Sequence, residues 1–128
     1  MTHKGTTPSK AFQDTASEAQ SCQSICVQSI QYCLQMGGSH VEPSHMQLLQ
    51  DCAEICETTG TMLLRSSAHH NQVTAACASI CEICARSCDR FTGDAQMKAC
   101  ADECRRCAAA CQQVAQMRPG GAAHHSVP

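Results

Sequence analysis

The sequence predicts an all-α fold: an antiparallel up-down-up-down four-helix bundle with a Cys-lined core. Three observations predict it. Thirteen of the 128 residues are Cys, and inside each segment they step by three, four or seven. Those steps are one or two helical turns, so the thiols of a segment share a stripe about 60° wide on a helix. A strand would send steps of three and four to opposite faces. Second, Leu, Ile and Val number only 15 while Ala numbers 18, so thiols and methyls must fill the interior. Third, Gly, Pro and Ser clusters divide the chain into four long segments joined by a few residues, and short connections make neighbouring helices antiparallel.

The first helix is expected from Pro8 or Ala11 to Met36, with Thr7 as cap and Pro8 in the first turn. It carries Cys22, Cys26 and Cys33 and stops at Gly37-Gly38. The second runs from Pro43 or Ser44 to Arg65 and carries Cys52 and Cys56. After Ser66-Ser67, with Ser67 as cap, the third covers Ala68 to Phe91 and carries Cys77, Cys81, Cys84 and Cys88. Asp94 caps the fourth, which carries Cys100, Cys104, Cys107 and Cys111 and ends near Met117. The segment Ala76–Cys84 is repeated at Ala99–Cys107, so the last two helices read as a duplicated unit. Residues 8–118 form the bundle, and residues 1–7 and 119–128 are expected to be flexible ends. Glu54, Glu57, Glu82, Arg86, Asp102 and Arg105 fall off the Cys stripes and are expected in solvent.

Composition removes several functions. No apolar run approaches the roughly 18 residues of a membrane span, and the first residues show neither an apolar export segment nor paired arginines. The formal net charge is −2, with one Tyr and no Trp, so there is no basic stripe and no stacking platform for nucleic acid. No Gly-rich phosphate loop is present, and nothing suggests an enzyme.

Thirteen Cys cannot all pair within one chain. Cβ atoms at i and i+4 on a helix stand roughly 5–6 Å apart, beyond the 3.5–4.5 Å or so of a disulfide. Two such sulfurs can still lean together around a small ion. Zinc sites ordinarily use loop spacings, and iron–sulfur sites use loop-rich runs ending in Cys-Pro, of which there is none. The CxxC steps Cys81/Cys84 and Cys104/Cys107 lie mid-helix, away from the helix N-terminus that lowers a redox thiol. Soft thiolates select Cu(I), which accepts two or three sulfurs. One Cu⁺ per thiolate also leaves a buried core neutral. All thirteen Cys are thus metal-ligand candidates, with capacity on the order of 10–15 Cu(I) per chain. An iron–sulfur or dithiol redox protein and a zinc-thiolate buffer are the alternatives.

Between about Ser21 and Gln112 the set Cys22–Cys26, Cys52–Cys56, Cys77–Cys81–Cys84–Cys88 and Cys100–Cys104–Cys107–Cys111 resembles the bacterial copper storage proteins. The resemblance implies a four-helix bundle, a homotetramer and many Cu(I) ions along the core. Exported members of that family carry a twin-arginine signal. Its absence points to the cytosol, and copper is the partner expected.

The antiparallel arrangement gathers Met36, His40, His45, Met46, Cys88 and Met97 at one end. Thioethers and imidazoles bind Cu(I) without losing a proton, so Met36, His45 and Met97 are further ligand candidates and this end is the expected mouth. Leu63, Val73 and Val114 plug the other end. His69, His70, His124 and His125 are expected in solvent.

Overall fold

A computed structural model describes residues 7–118, and among them every long element is a helix. Helix α1 spans Lys10–Met36, α2 Pro43–Leu64, α3 His70–Asp89 and α4 Ala95–Ala115. Each packs against two flanking helices, α1 on α2 and α4, and α3 on α2 and α4. That closed ring is the expected bundle. At 27 residues α1 is about 40 Å long and sets the length of the core. None of the helices is long and apolar enough to cross a membrane. The two chain ends expected to be flexible lie outside the described residues, apart from Thr7.

The helix boundaries follow local chemistry, with two corrections. Ser9, not Thr7, caps α1, its hydroxyl accepting from the Phe12 amide at 3.1 Å. Pro8 therefore stands before the cap and leaves its carbonyl to the Gln13 side chain. Ser67 does not cap α3 either. Its hydroxyl accepts from the His69 amide in the connection, and α3 starts two residues later than expected. Asp94 caps α4 as read, accepting from the Met97 amide at 3.0 Å. Gly37 and Gly38 stop α1 with φ of 70° and 60°, a region other residues rarely adopt. A short 3-10 turn, Gly38–Val41, then lies across the bundle end.

All thirteen Cys are buried and unpaired. They form one cluster with Ala19, Ala78, Ala85, Ala101, Ala108, Leu49 and Met97. A second cluster of Phe12, Ala16, Leu63 and Val114 closes the far end. Leu63 and Val114 were expected there, while Val73 is only partly buried. His70 corrects the expectation of solvent exposure. It is 1% exposed, its ring lies 4.7 Å from Phe12, and its Nε2 stands 3.0 Å from the Val114 carbonyl.

Of the off-stripe charges, Glu54, Glu57, Arg86 and Arg105 are exposed, and Glu82 and Asp102 are partly so. Glu103 is the charge that goes inside, at 7% exposure, with Arg106 donating to its Oε1 at 2.7 Å. Burial, then a hydrogen bond with Glu18, raises its pKa to about 7. A carboxyl raised in this way stabilises the fold fully below its ordinary pKa of 4.5, and that contribution is lost as pH rises through about 7. Thermal unfolding of metal-free Glu103→Gln between pH 5 and 8 is therefore expected to show a flatter pH dependence than the native protein. Identical profiles would place the Glu103 proton elsewhere.

Candidate metal centre

The Cys stripes converge on the bundle axis. Cross-helix sulfur contacts are as short as those along a helix: Cys52–Cys81 3.7 Å, Cys22–Cys104 3.8 Å, Cys56–Cys77 3.8 Å, and Cys77–Cys81 within α3 3.9 Å. These are separations for a shared ion. A metal–thiolate bond of about 2.3 Å places ligand sulfurs roughly 3.8–4.0 Å apart around a tetrahedral or trigonal ion, whereas a disulfide needs about 2.05 Å.

Four groups bring four sulfurs within 4.8 Å of one another: Cys22/Cys26/Cys52/Cys104, Cys22/Cys52/Cys56/Cys81, Cys26/Cys84/Cys100/Cys104 and Cys56/Cys77/Cys81/Cys107. Each takes one CxxxC pair from one helix and a single thiol from each of two others. Each of the four helices supplies the pair once. The groups also overlap. The first shares Cys22 and Cys52 with the second and Cys26 and Cys104 with the third, and the second shares Cys56 and Cys81 with the fourth. The result is one connected column of sulfur and not four isolated cages. Cys33, Cys88 and Cys111 lie outside the quartets.

Protonation follows from burial and crowding. Desolvation pushes the Cys33 thiol up to about 11. Inside the column hydrogen bonds sort the thiols. Cys22 is held below the ordinary thiol range, by Cys104 first, while Cys100 first pushes Cys26 and Cys104 above it. Binding a cation at a raised thiol must release its proton, so loading weakens as pH falls.

The expected mouth is rearranged. His45 is fully buried, with Nε2 3.6 Å from the Cys33 sulfur and Nδ1 2.7 Å from the Ser87 hydroxyl. The Met97 sulfur lies 4.0 Å from the same Cys33 sulfur. Burial, then the Arg90 charge, lowers the His45 pKa and favours the neutral imidazole. Thiol, imidazole and thioether thus meet at Cys33. Met36 corrects its expected place beside the stripe: it is 53% exposed, being the last residue of α1. Met46 packs on the core from a partly buried position. His40 does not face the sulfurs. It pairs with Asp94 at 2.8 Å and lies against Phe91, with ring centroids 4.2 Å apart. Tyr32 donates to the same Asp94 oxygen at 2.7 Å. Burial would raise Asp94, but bonds from the Met97 amide, Tyr32 and His40 outweigh it and hold the carboxyl below its usual range. This knot of rings stands beside the Cys33 cluster, with Phe91 4.8 Å from the His45 ring. His69 is exposed, as expected, and His124 and His125 lie outside the described residues.

Residues 8–116 match the family described as copper storage protein. The chain belongs to the copper storage protein family. Its structure is similar to that of the Nmul_A1745 protein from Nitrosospira multiformis, with 36% identity and a TM-score of 0.75 over 80% of this chain and 93% of that one. It is also similar to the Cu(I)-bound copper storage protein BsCsp3, with 25% identity and a TM-score of 0.76 over 80% of this chain and 96% of that one. No curated protein sequence matches the chain. Set in this copper storage family, the donor chemistry fits: buried, overlapping thiols suit a soft monovalent cation that accepts few ligands and shares them.

Proposed function

We propose that this chain stores Cu(I), with many ions held along the column by Cys22, Cys26, Cys33, Cys52, Cys56, Cys77, Cys81, Cys84, Cys88, Cys100, Cys104, Cys107 and Cys111. The observation that carries this reading is the overlap of the four quartets. Sharing one sulfur between neighbouring ions is what a chain of monovalent copper ions requires, and one Cu⁺ per thiolate removes net charge from a dry core. Family membership and the Cu(I)-bound relative support the same cargo. His45 and Met97 join Cys33 as a mixed terminal station. The role is binding and release, with no catalysed step.

Free thiols persist in reducing compartments, which supports the cytosol as the location. The family resemblance implies a homotetramer, and Val27 and Leu34, 52% and 57% exposed and seven residues apart on α1, offer apolar surface for a contact between copies.

Metal analysis tests the cargo. Reduced protein offered excess Cu(I), Zn(II) and Fe(II) together, then desalted without oxygen, is expected to come through colourless and carry copper far in excess of the others. Zinc in place of copper would establish the buffer reading, and a brown iron-bearing product the redox one.

A further inference from the structure

We propose that copper reaches the column through a cavity at the α3–α4 turn, where a small zwitterionic thiol carrying Cu(I) docks and hands the ion to Cys88. This rests on the storage reading above and adds to it the way in and the class of donor.

Three observations point there. The cavity holds about 500 Å³, a size that suits a small peptide-like ligand. It is lined by Cys88, Phe91, Asp94, Ala95, Lys98 and Arg105 among others. Cys88 is the Cys in that lining, buried behind it at 1% exposure. Finally, Cys88 leads inward. It stands one helical turn after Cys84 on α3, in the same buried cluster, and Cys84 belongs to the quartet with Cys26, Cys100 and Cys104. An ion received at Cys88 therefore stands next to the connected sulfurs. The bundle end itself is closed beside this cavity by the Tyr32, His40, Phe91 and Asp94 knot.

The rim suggests what docks. Lys98 pairs with Asp102 at 3.0 Å and Arg105 pairs with Asp89. Exposed pairs of this kind are worth about 0–1 kcal/mol, so exchanging them for a ligand's carboxylate and ammonium costs little. The transfer is a ligand exchange. The Cys88 sulfur attacks the two-coordinate Cu(I) of the carrier complex and a Cys88–Cu bond forms. One carrier–Cu bond breaks, and the Cys88 proton leaves on the departing carrier sulfur. A second exchange of the same kind at the Cys84 thiol, one turn away on α3, breaks the other carrier–Cu bond and sends the Cys84 proton out on the second carrier sulfur. Copper stays Cu(I) throughout and no electron moves.

The test is stopped-flow loading from the Cu(I)–glutathione complex without oxygen. Three variants are compared with the native chain: Cys88→Ala, Ala95→Trp, which fills the cavity and keeps every thiol, and Cys111→Ala, which removes another thiol outside the quartets. Native loading should saturate as the complex is raised. Cys88→Ala and Ala95→Trp should each load tenfold or more slowly, with Ala95→Trp reaching full capacity and Cys88→Ala falling about one ion short. Cys111→Ala should lose similar capacity at the native rate. Native rates in both Cys88→Ala and Ala95→Trp, with normal final capacity, would overturn the portal and leave storage standing. A native protein that takes up only a few ions would overturn storage itself. A native rate that rises linearly with the complex into the millimolar range would overturn docking.

Discussion

A Cys52→Ala/Cys56→Ala variant is expected to lose roughly half or more of its Cu(I) capacity although it gives up only two of thirteen thiols. α2 has only these two Cys, yet they enter three of the four quartets, and only Cys26/Cys84/Cys100/Cys104 survives their removal. The matched control is Cys88→Ala/Cys111→Ala. It also gives up two thiols but breaks no quartet, so its capacity should fall by about two ions. Each change deletes a single sulfur and favours helix, so both variants should fold. The small cavities cost on the order of 1 kcal/mol each. Helical circular dichroism establishes the fold, and anaerobic Cu(I) titration reads the capacity. Equal losses in the two variants would mean that copper binds at independent thiols and not in a shared column.

Loading is expected to raise the unfolding temperature by tens of degrees. The metal-free core is built mainly of Cys and Ala, with few large side chains beyond Phe12, Leu49, Leu63 and Met97. Thiols of that size fill a bundle poorly, and ions that bind only the assembled column stabilise it by mass action. One site with free ligand at a thousand times its dissociation constant adds about 4 kcal/mol. For a domain near this size each kcal/mol is worth roughly 4 °C, so a handful of filled sites suffices. The gain should shrink towards acid, because ions must displace protons from buried thiols. Calorimetry of metal-free and loaded protein at pH 5 and pH 7.5 checks both statements. A loaded protein melting within a few degrees of the metal-free one would show a core complete without metal.

Much of this was legible because a helix converts spacing into direction. Steps of three and four placed every Cys on an inward stripe, and all thirteen are buried. What spacing cannot supply is which stripes face which sulfurs. A sequence shows CxxxC pairs along one helix, whereas the quartets draw on three helices each. Helical phase also fails at helix ends. Met36 shares the Cys stripe by angle but sits at the last position of α1, where it projects into solvent. His70 looked like part of a polar connection, yet it opens α3 and is pinned between Phe12 and the Val114 carbonyl. Glu103 did leave a signal. It stands three residues after Cys100 and four before Cys107, at the edge of the stripe, where a carboxyl is drawn partly inside. The cavity beside Cys88 left none, because it depends on how the α3–α4 turn lies against two helix ends.

The most direct measurement is anaerobic titration of the fully reduced chain with Cu(I) against a chromogenic chelator, read alongside metal analysis. A shared thiolate column should withhold copper from the chelator until on the order of 10–15 ions are bound per chain. Free chelate complex forming after only one to four ions would contradict a store and leave a protein with a few discrete metal sites.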